Sequence, residues 1–555
     1  MKSNSRINFL LIDFFLIGFL LLARLFWWQV VVSEKLIAAA ESQHWTSFEV
    51  PAQRGKILAS DGFPLATNKE SFLVFASLPD LEEKAEQVAQ KLAPVLEPDD
   101  PATMSGLITE RLGRRDLVWV PLKHKISAQI KEAVESLKIK GLGFEEESRR
   151  DYPEGSVAAQ LLGFVGADIN GLDKGYFGLE GYYDLELKGQ AGILRREKDA
   201  LGRPILVGEA KEEARQDGRD LLTTIDRVAQ FTAEKNLQEG IRRYGAKSGS
   251  VVMMAPRTGE ILAMASFPGK GFPNPVVAAG FEPGSIFKVL VMAAALNEGV
   301  ITPETRCDKC GGPRVISGET IRTWDDKYPD NPTMTEVIQQ SNNVGMVYAA
   351  EKLGKEKLIE YLQNFGLNQS SGIDLQDELV PQFRPSSSWR EIDLATASFG
   401  QGIAVTSMQM LKAVGAIANQ GRLMRPFVVK KVISGTDETE IKPQEEKKVI
   451  SAATARVMTE IMVNAVDKGE AKWAKPEDFR IAGKTGTAQI PLAGHYDAEK
   501  TIASFVGFAP ADDPKFVMLV TLVEPTSSPW GSETAAPLWF DIAGELLTYW
   551  GILPN

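Results

Sequence analysis

A long apolar run near the N-terminus limits what the rest of the chain can become. From Asn8 to Val32 the sequence is almost wholly apolar, which is long enough to cross a bilayer at roughly 20 residues per span. Lys2 and Arg6 precede the run, so we expect the N-terminus in the cytoplasm and the remaining chain outside. Since the apolar core of a cleaved signal peptide is typically about 7 to 15 residues, the length favours an uncleaved anchor. Cleavage near the alanines at 38–40 is the alternative.

Two charged residues stand inside this predicted transmembrane helix. Asp13 and Arg24 are eleven positions apart, or about three helical turns, so they share one face. Charged side chains within a span are costly and usually face protein or reach an interface. We therefore interpret this face as a contact surface for a membrane partner. The alternative is that Asp13 lies at the inner headgroups, which leaves only Arg24 in the apolar layer.

The composition is that of a folded, non-repetitive protein. A chain of 555 residues predicts two or three globular units. The net charge of −11 argues against nucleic acid as a partner. Because a structural zinc site needs about four ligands, two cysteines and three scattered histidines predict no metal site. A local disulfide between Cys307 and Cys310 would fit an oxidising compartment.

The first of three short motifs has the form S-x-x-K. Ser285 follows a Glu-Pro-Gly turn and opens an apolar run that continues to Leu296, which predicts a helix N-terminus, where free N–H groups favour a developing oxyanion. Lys288 shares its helix face, and desolvation in so apolar a segment favours a neutral lysine that acts as a base. For this motif alone, a chance serine and a lysine that reaches to water are the usual explanation.

The second motif runs from Ser341 to Asn343. It follows a short predicted helix, which a capping box from Thr333 to Glu336 opens, and it precedes an apolar segment that starts at Val344. A hydroxyl and a carboxamide on such an inter-helix loop can relay a proton and bind a substrate amide. In isolation, the same residues are also typical of a polar cap for the next helix.

The third motif is K-T-G-T, from Lys484 to Thr487, in a Thr-rich segment that predicts a strand through Ile490. Gly486 leaves room for a substrate backbone along the edge of a sheet. Lys484 and the hydroxyls of Thr485 and Thr487 suit a carboxylate. A K-T-G string alone is common by chance. In this order after the other two motifs, it indicates a serine acyl-transfer site.

The three motifs and several longer blocks resemble the class B penicillin-binding proteins. The segment before the globular part and the block Gly400-Gln401-Gly402 are most similar to the division-specific type, with the elongation type second. The other blocks that carry the resemblance are 222–226, 255–263, 398–399, 405–406 and 504–510 in the C-terminal part, and 54–57, 150–155, 178–180, 183–184 and 187–189 upstream.

The resemblance implies an α+β protein with a single N-terminal transmembrane helix, an elongated β-rich pedestal, and a penicillin-binding transpeptidase domain. That domain should be an antiparallel sheet flanked by helices, like a serine β-lactamase. We also expect a helix over 34–48. The expected domains are a cytoplasmic tail at 1–7, an anchor at 8–32, a dimerisation-type pedestal at 33–213, a linker at 214–220 and the transpeptidase domain at 221–555.

The resemblance also implies the activity, which is cross-linking of peptidoglycan stem peptides that end in D-Ala-D-Ala, without a cofactor, in septal wall synthesis. The same serine should bind β-lactams covalently. The implied site consists of Ser285, Lys288, Ser341, Asn343 and Lys484 as catalytic residues, the backbone N–H groups of Ser285 and Thr487 as the oxyanion hole, and Asn343, Thr485, Gly486 and Thr487 as substrate-binding residues.

The implied partners lie in the membrane. They are a glycosyltransferase of the SEDS family and other division proteins, and the protein itself would be a single-pass protein of the cytoplasmic membrane with a periplasmic catalytic domain. A D,D-carboxypeptidase, which uses water as the acceptor, remains open because the motifs build only the acyl-enzyme. A penicillin-binding sensor or division scaffold also remains open. A β-lactamase is less favoured, since it has no evident use for a tethered pedestal.

Overall fold

The computed structural model describes residues 4–37, 45–114, 116–169, 171–197, 210–268, 271, 273–492 and 495–553. The chain divides into two compact units. The first combines Met1–Gln53 with Gly189–Gly218, and the second combines Arg54–Lys188 with Arg219–Asn555. All three motifs lie in the second unit.

Helices occur along the whole chain. They are α1 (Asn4–Phe26), α2 (Ala85–Leu96), α3 (Pro101–Leu112), α4 (Ala128–Ser136), α5 (Ala159–Leu162), α6 (Gly178–Tyr182), α7 (Asp184–Lys188), α8 (Arg227–Tyr244), α9 (Pro275–Ala278), α10 (Lys288–Asn297), α11 (Met334–Gln339), α12 (Asn343–Leu353), α13 (Lys355–Asn364), α14 (Glu391–Ala397), α15 (Ser407–Ala418), α16 (Ala452–Lys468) and α17 (Ala535–Tyr549).

Strands occur in both units. They are β1 (Trp45–Val50), β2 (Ile57–Leu58), β3 (Pro64–Ser77), β4 (Trp119–Ile126), β5 (Leu142–Asp151), β6 (Phe164–Ala167), β7 (Asp173–Tyr176), β8 (Gly192–Glu197), β9 (Ala210–Glu213), β10 (Asp220–Thr223), β11 (Ser248–Met254), β12 (Ile261–Phe267), β13 (Gly280–Phe281), β14 (Arg314–Ile316), β15 (Glu319–Ile321), β16 (Val405–Thr406), β17 (Arg422–Met424), β18 (Val429–Ser434), β19 (Asp437–Glu440), β20 (Glu445–Lys448), β21 (Ala482–Leu492), β22 (His495–Ala509) and β23 (Phe516–Val523).

The first unit contains the apolar helix that the sequence predicts. α1 continues as a π-helical turn over Trp27–Val31. Among the described residues, one helix is long and apolar enough to cross a membrane, Arg6–Val31, by its length and composition. Lys2 and residues 38–40, on which the expected orientation and the cleavage alternative depend, lie outside the described residues.

The helix expected over 34–48 is wrong for its C-terminal part. Residues 33–37 are helical, residues 38–44 lie outside the described residues, and Trp45–Val50 forms β1. β1 pairs antiparallel with β8, with Trp45 opposite Glu197 and Val50 opposite Gly192, and β8 pairs with β9. A partner about 150 positions further along the chain therefore decides the state of this segment, as is common for strands.

One sheet of the second unit combines N-terminal strands with β10, β18 and β19 from further along the chain. The sheet has the order β19-β18-β10-β2-β3-β4, and β5 also pairs with β3. Apolar residues of β3 such as Val74 pack against Val88 and Leu92 of α2 and Ile108 of α3 in one core. The helical spacing of Val88, Leu92 and Leu96 presents one apolar face to that core.

A buried ion cluster brings together four of the upstream sequence blocks. The carboxylate of Glu180 is fully buried, 2.6 Å from the guanidinium of Arg54 on one side and 2.6 Å from that of Arg150 on the other. Arg54 also pairs with Asp184 at 2.8 Å. Because removal of one partner would leave an uncompensated buried charge, these residues depend on one another.

The C-terminal half of the second unit is built around a five-stranded antiparallel sheet of order β12-β11-β23-β22-β21. Alternate residues of β11 enter different cores: Val251 and Met253 pack with α8 and α17, whereas Val252 and Met254 pack with α10 and α15. The sheet is therefore covered by helices on both faces. β21, which carries the third motif, is an edge strand of this sheet.

Candidate active site

Ser285 lies where a tight turn becomes a helix. Gly284–Phe287 form a 3-10 turn that runs directly into α10, which confirms the predicted helix start. Gly284 has φ +56°, and a Cβ there would lie 2.9 Å from the backbone oxygen of Thr487. This position therefore needs glycine twice, for its backbone angle and for its close contact with β21.

Lys288 is enclosed at the start of α10. Its side chain is fully buried, and Nζ lies 2.6 Å from the backbone oxygen of Ser341, 2.7 Å from Oδ1 of Asn343 and 3.2 Å from Oγ of Ser341. A neutral amine has two hydrogens and one lone pair. If the hydrogens go to the two nearer oxygens, the lone pair is left to accept a proton from a hydroxyl.

The surroundings of Lys288 favour this neutral form. Burial lowers its pKa well below the usual value, the nearby positive charge of Lys484 lowers it further, and the carboxylate of Glu470 opposes both effects. Lys412 is a useful contrast, because it is also buried but lies 2.7 Å from the carboxylate of Glu446. The three hydrogen-bond acceptors of Lys288 are neutral oxygens, so a base at this position is physically reasonable.

The three residues of the second motif make different contacts. The middle residue, Asn342, caps α12 with its side chain, which accepts a hydrogen bond of 2.9 Å from the N–H of Gly345. Ser341, at φ +55°, and Asn343 instead contact Lys288. Nδ2 of Asn343 donates to the backbone oxygen of Arg322 at 2.9 Å, which fixes the orientation of its amide. The expected helix cap is therefore present at Asn342, whereas Ser341 and Asn343 are left to contact the buried amine.

The third motif lies on β21, as the sequence predicts. The amine of Lys484 is buried and donates to Oγ1 of Thr485 at 3.0 Å, and that hydroxyl donates to Glu470 at 2.7 Å. Burial lowers the pKa of Lys484, and Glu470 counteracts this shift. Two residues after Thr485, Oγ1 of Thr487 accepts a hydrogen bond of 3.0 Å from the backbone N–H of Gly531.

These elements enclose one cleft. Trp324 and Trp530 meet edge to face above it, with 5.2 Å between ring centroids, and the indole N–H of Trp324 donates to the backbone oxygen of Gln340 at 3.3 Å. The cleft is lined by Gly284, Ser285, Trp324, Ser341, Asn343, Phe399, Gln401, Glu470, Thr485, Gly486, Thr487, Trp530, Ser532 and Glu533. Residues from all three motifs therefore face the same space.

The family follows from two domain matches and from relatives that span the chain. The model of the penicillin-binding protein transpeptidase domain matches residues 249–546, and that of the penicillin-binding protein dimerisation domain matches residues 49–223. Stage V sporulation protein D of Bacillus subtilis is 33% identical over 571 positions, which cover 100% of this chain and 87% of the relative. The chain belongs to the class B penicillin-binding proteins.

Other class B penicillin-binding proteins agree in sequence and structure. The peptidoglycan D,D-transpeptidase FtsI of Escherichia coli is 29% identical, over 96% of this chain and 90% of the relative. A peptidoglycan synthetase from Bifidobacterium adolescentis has a TM-score of 0.74 and 26% identity over 92% of this chain and 98% of that structure. The protein is accordingly a serine-type D-Ala-D-Ala transpeptidase of α+β fold.

The predicted site residues fall into three groups by their position in the structure. Ser285, Ser341, Asn343, Thr485, Gly486 and Thr487 line the cleft. Lys288 and Lys484 lie in its walls as buried amines. Asp13 and Arg24 lie on α1, in the other unit, where the guanidinium of Arg24 is 5.0 Å from the ring centre of Trp28.

Sequence reasoning missed Glu470 altogether. It follows α16, outside any motif, and no local pattern points to it. Trp324, also outside the three motifs, lies at the cleft beside Trp530. Gln401 belongs to the Gly-Gln-Gly block, which could have indicated it. Among the described residues, no group of three or more histidine, cysteine or acidic side chains could hold a metal ion, and Cys307 and Cys310 form a disulfide.

Proposed function

We propose that Ser285 is the nucleophile of this peptidoglycan transpeptidase and that the three motifs have the roles which the sequence suggests. The observation that carries the proposal is the buried amine of Lys288, hydrogen-bonded to Ser341 and Asn343 in the wall of a cleft that Ser285 lines. A desolvated lysine next to a serine at a helix start is an arrangement suited to acyl transfer.

The reaction begins with attack of Ser285 Oγ on the carbonyl carbon of the penultimate D-alanine. Lys288 takes the hydroxyl proton, and the backbone N–H groups of Ser285 and Thr487 stabilise the oxyanion. The close contact between Gly284 and the backbone of Thr487 supports this pairing of donors. The C–N bond then breaks, and terminal D-alanine leaves with a proton that Ser341 and Lys484 relay.

The remaining polar groups hold the substrate. Asn343 binds the stem-peptide amide, and the hydroxyls of Thr485 and Thr487 bind the terminal carboxylate while Gly486 admits the substrate backbone. β21 is an edge strand, so an extended peptide can lie along it. In the second half of the reaction, the amine of another stem peptide attacks the acyl-enzyme and forms the cross-link.

The same serine is proposed to bind β-lactams covalently. A lactam presents an acyl group to Ser285 in the way the peptide does. Penicillin-binding protein 3 of Mycobacterium tuberculosis, solved in complex with aztreonam, has 25% identity to this chain and a TM-score of 0.69 over 92% of it. That likeness supports the proposal for the present cleft.

The proposed setting is septal wall synthesis at the cytoplasmic membrane. α1 anchors the chain with its N-terminus in the cytoplasm. The pedestal at 33–213 and the transpeptidase domain at 221–555 lie in the periplasm, joined by the linker at 214–220. The face of α1 with Asp13 and Arg24 contacts a SEDS-family glycosyltransferase among other division proteins. The resemblance of the Gly-Gln-Gly block to the division-specific type supports the septal assignment.

Substitution of Ser285 tests the catalytic proposal. The Ser285→Ala variant should lose labelling by a fluorescent penicillin and should fail to form cross-linked product from a D-Ala-D-Ala peptide. Ser136→Ala, on helix α4 away from the cleft, is the matched control and should behave as the wild type. Growth supported by Ser285→Ala in cells that depend on this protein would instead favour a scaffold.

The membrane partner and the setting require separate measurements. Arg24→Leu should reduce co-purification with a SEDS-family glycosyltransferase, whereas Lys35→Leu, beyond the apolar run, should not. If complex formation is the same in both variants, the contact face is elsewhere. A fluorescent fusion should concentrate at the septum of dividing cells, and a uniform signal along the lateral wall would contradict the septal assignment.

A further inference from the structure

A second cavity opens directly beside the catalytic cleft. We call it the side groove; its volume is about 540 Å³ and its walls include Trp324, Asp325, Lys327, Gln340, Lys468 and Glu470. Trp324 and Glu470 also line the cleft. The groove is therefore a continuation of the catalytic site past these two side chains.

The first half of the reaction does not need this space. The group that leaves is a single alanine, whose carboxylate the hydroxyls of Thr485 and Thr487 can hold inside the cleft. The incoming amine attacks the same carbonyl carbon, so it must take the position that the leaving amine vacated. An acceptor differs from the leaving alanine because its amine carries the rest of a stem peptide. That extra length requires room beyond Glu470, which the side groove provides.

The charges along the groove suit such an acceptor. Glu470 lies at the junction of the cleft and the groove, where its carboxylate accepts a hydrogen bond from Thr485 and can also accept one from an arriving neutral amine. Lys468 lies two residues earlier, at the end of α16, and is exposed. Lys327, which also lines the groove, lies 3.6 Å from Asp325. A carboxylate at the junction and lysines in the groove lining match a peptide that presents an amine first and carboxylates further along.

We propose that the side groove binds the acceptor stem peptide, with Glu470 attracting its amine and Lys468 pairing with one of its carboxylates. This inference rests on the proposed acyl-enzyme at Ser285. In the step that it serves, the acceptor nitrogen forms a bond to the acyl carbon and the ester bond to Oγ breaks. The electron pair returns to Oγ, and the proton lost by the amine passes through Lys288 to the Ser285 hydroxyl.

Two acceptors of different length test the groove. The purified full chain in detergent is given one D-Ala-D-Ala donor peptide and one of two acceptors. The acceptor is either a stem tetrapeptide that has a free side-chain amine or free isotope-labelled D-alanine, whose label distinguishes its aminolysis product from the donor by mass. D-alanine lacks the peptide chain that would extend into the groove. The products of aminolysis and hydrolysis are separated by chromatography and identified by mass. The apparent KM for each acceptor is the readout.

Charge reversal at Lys468 should raise the apparent KM for the tetrapeptide at least fivefold more than that for D-alanine. The difference should shrink as the salt concentration increases, since the site is exposed. Lys472→Glu changes another exposed lysine outside the groove and should leave both constants unchanged. An equal effect on the two acceptors, or no effect on the tetrapeptide, would overturn the inference.

Labelling by a fluorescent penicillin separates this result from a failure of the proposed function. If the wild type is labelled at Ser285 and Lys468→Glu changes the apparent KM for neither acceptor, the proposal for the side groove is wrong and the proposed function stands. If the wild type is not acylated at Ser285, the proposed function falls and the groove assignment with it.

Discussion

The amine of Lys288 lies 2.6 Å from the backbone oxygen of Ser341 and 3.2 Å from its hydroxyl. Ser341 has φ +55°, an angle that residues other than glycine seldom adopt. The amine of the first motif is thus bound to the loop of the second. Because strained backbone persists only where the surrounding structure fixes it, we infer that the cap of α12 and the buried amine hold this loop together.

Replacement of Lys288 by methionine tests its role as a base. Methionine fills a similar volume in a fully buried position, so the chain should fold, while the rate of penicillin acylation should fall by about 10²-fold or more, as for the loss of a general base. Stopped-flow fluorescence measures this rate. Lys412→Met, at a buried lysine paired with Glu446, should lower the melting temperature without a comparable loss of acylation. Equal losses of acylation would show that burial alone matters.

The pH dependence of acylation should report the charges around Lys288. The amine must be neutral, so the rate rises with pH as Lys288 loses its proton, with a midpoint well below the pKa of an ordinary lysine. Glu470 holds that pKa up. Glu470→Gln should therefore move the midpoint of this rise in rate to lower pH. Lys484→Met removes a positive charge that lowers the pKa of Lys288. This variant should move the midpoint to higher pH, even if its maximal acylation rate also changes.

Glu533→Gln is the control for this pair of variants. Glu533 also lines the cleft but is not among the groups that set the pKa of Lys288, so its removal should leave the midpoint in place. Shifts of Glu470→Gln and Lys484→Met in the same direction would contradict the electrostatic explanation.

Gly486 is predicted to tolerate no side chain. A Cβ at this position would overlap Ser504 Oγ and lie 2.8 Å from Cγ2 of Ile286, the residue after the nucleophile. Gly486→Ala should cost about 1–3 kcal/mol of stability, as overpacking does. It should reduce acylation more than tenfold, because small displacements of reacting groups are costly. In Gly544→Ala the new Cβ meets nothing within 4 Å, so both properties should be retained there.

Asn342 is predicted to act on the site only through the helix that it caps. Asn342→Ala removes the hydrogen bond to the N–H of Gly345, which should cost about 1 kcal/mol of stability and also slow acylation by releasing the loop of Ser341. Asp100→Ala removes a comparable cap, 3.1 Å from the N–H of Thr103, in the pedestal. It should cause a similar drop in chemical stability with normal acylation. Normal acylation in both variants would show that the cap is not needed by the site.

Sequence patterns predicted the secondary structure correctly where it depends on interactions between residues close together in the chain. The capping box at Thr333 and Glu336 is present, and α11 begins at the next residue, Met334. The turn before Ser285 opens a helix, and the threonine-rich segment is a strand. Each of these depends on hydrogen bonds or propensities that act within a few residues. The error over 34–48 arose where the deciding partner, β8, is distant in the sequence.

The sequence by itself determined the apolar anchor, the order of the three motifs and the elements that carry them, since periodicity and capping are encoded locally. Only the tertiary structure decided that Ser341 and Asn343 contact Lys288 while Asn342 caps a helix. It also placed Glu470 between the cleft and the side groove. In addition, it buried Lys288 and Lys484 so close together that the charge of Lys484 lowers the pKa of Lys288. Desolvation and Coulomb interaction depend on burial and distance in space, and neither can be read from spacing along a chain.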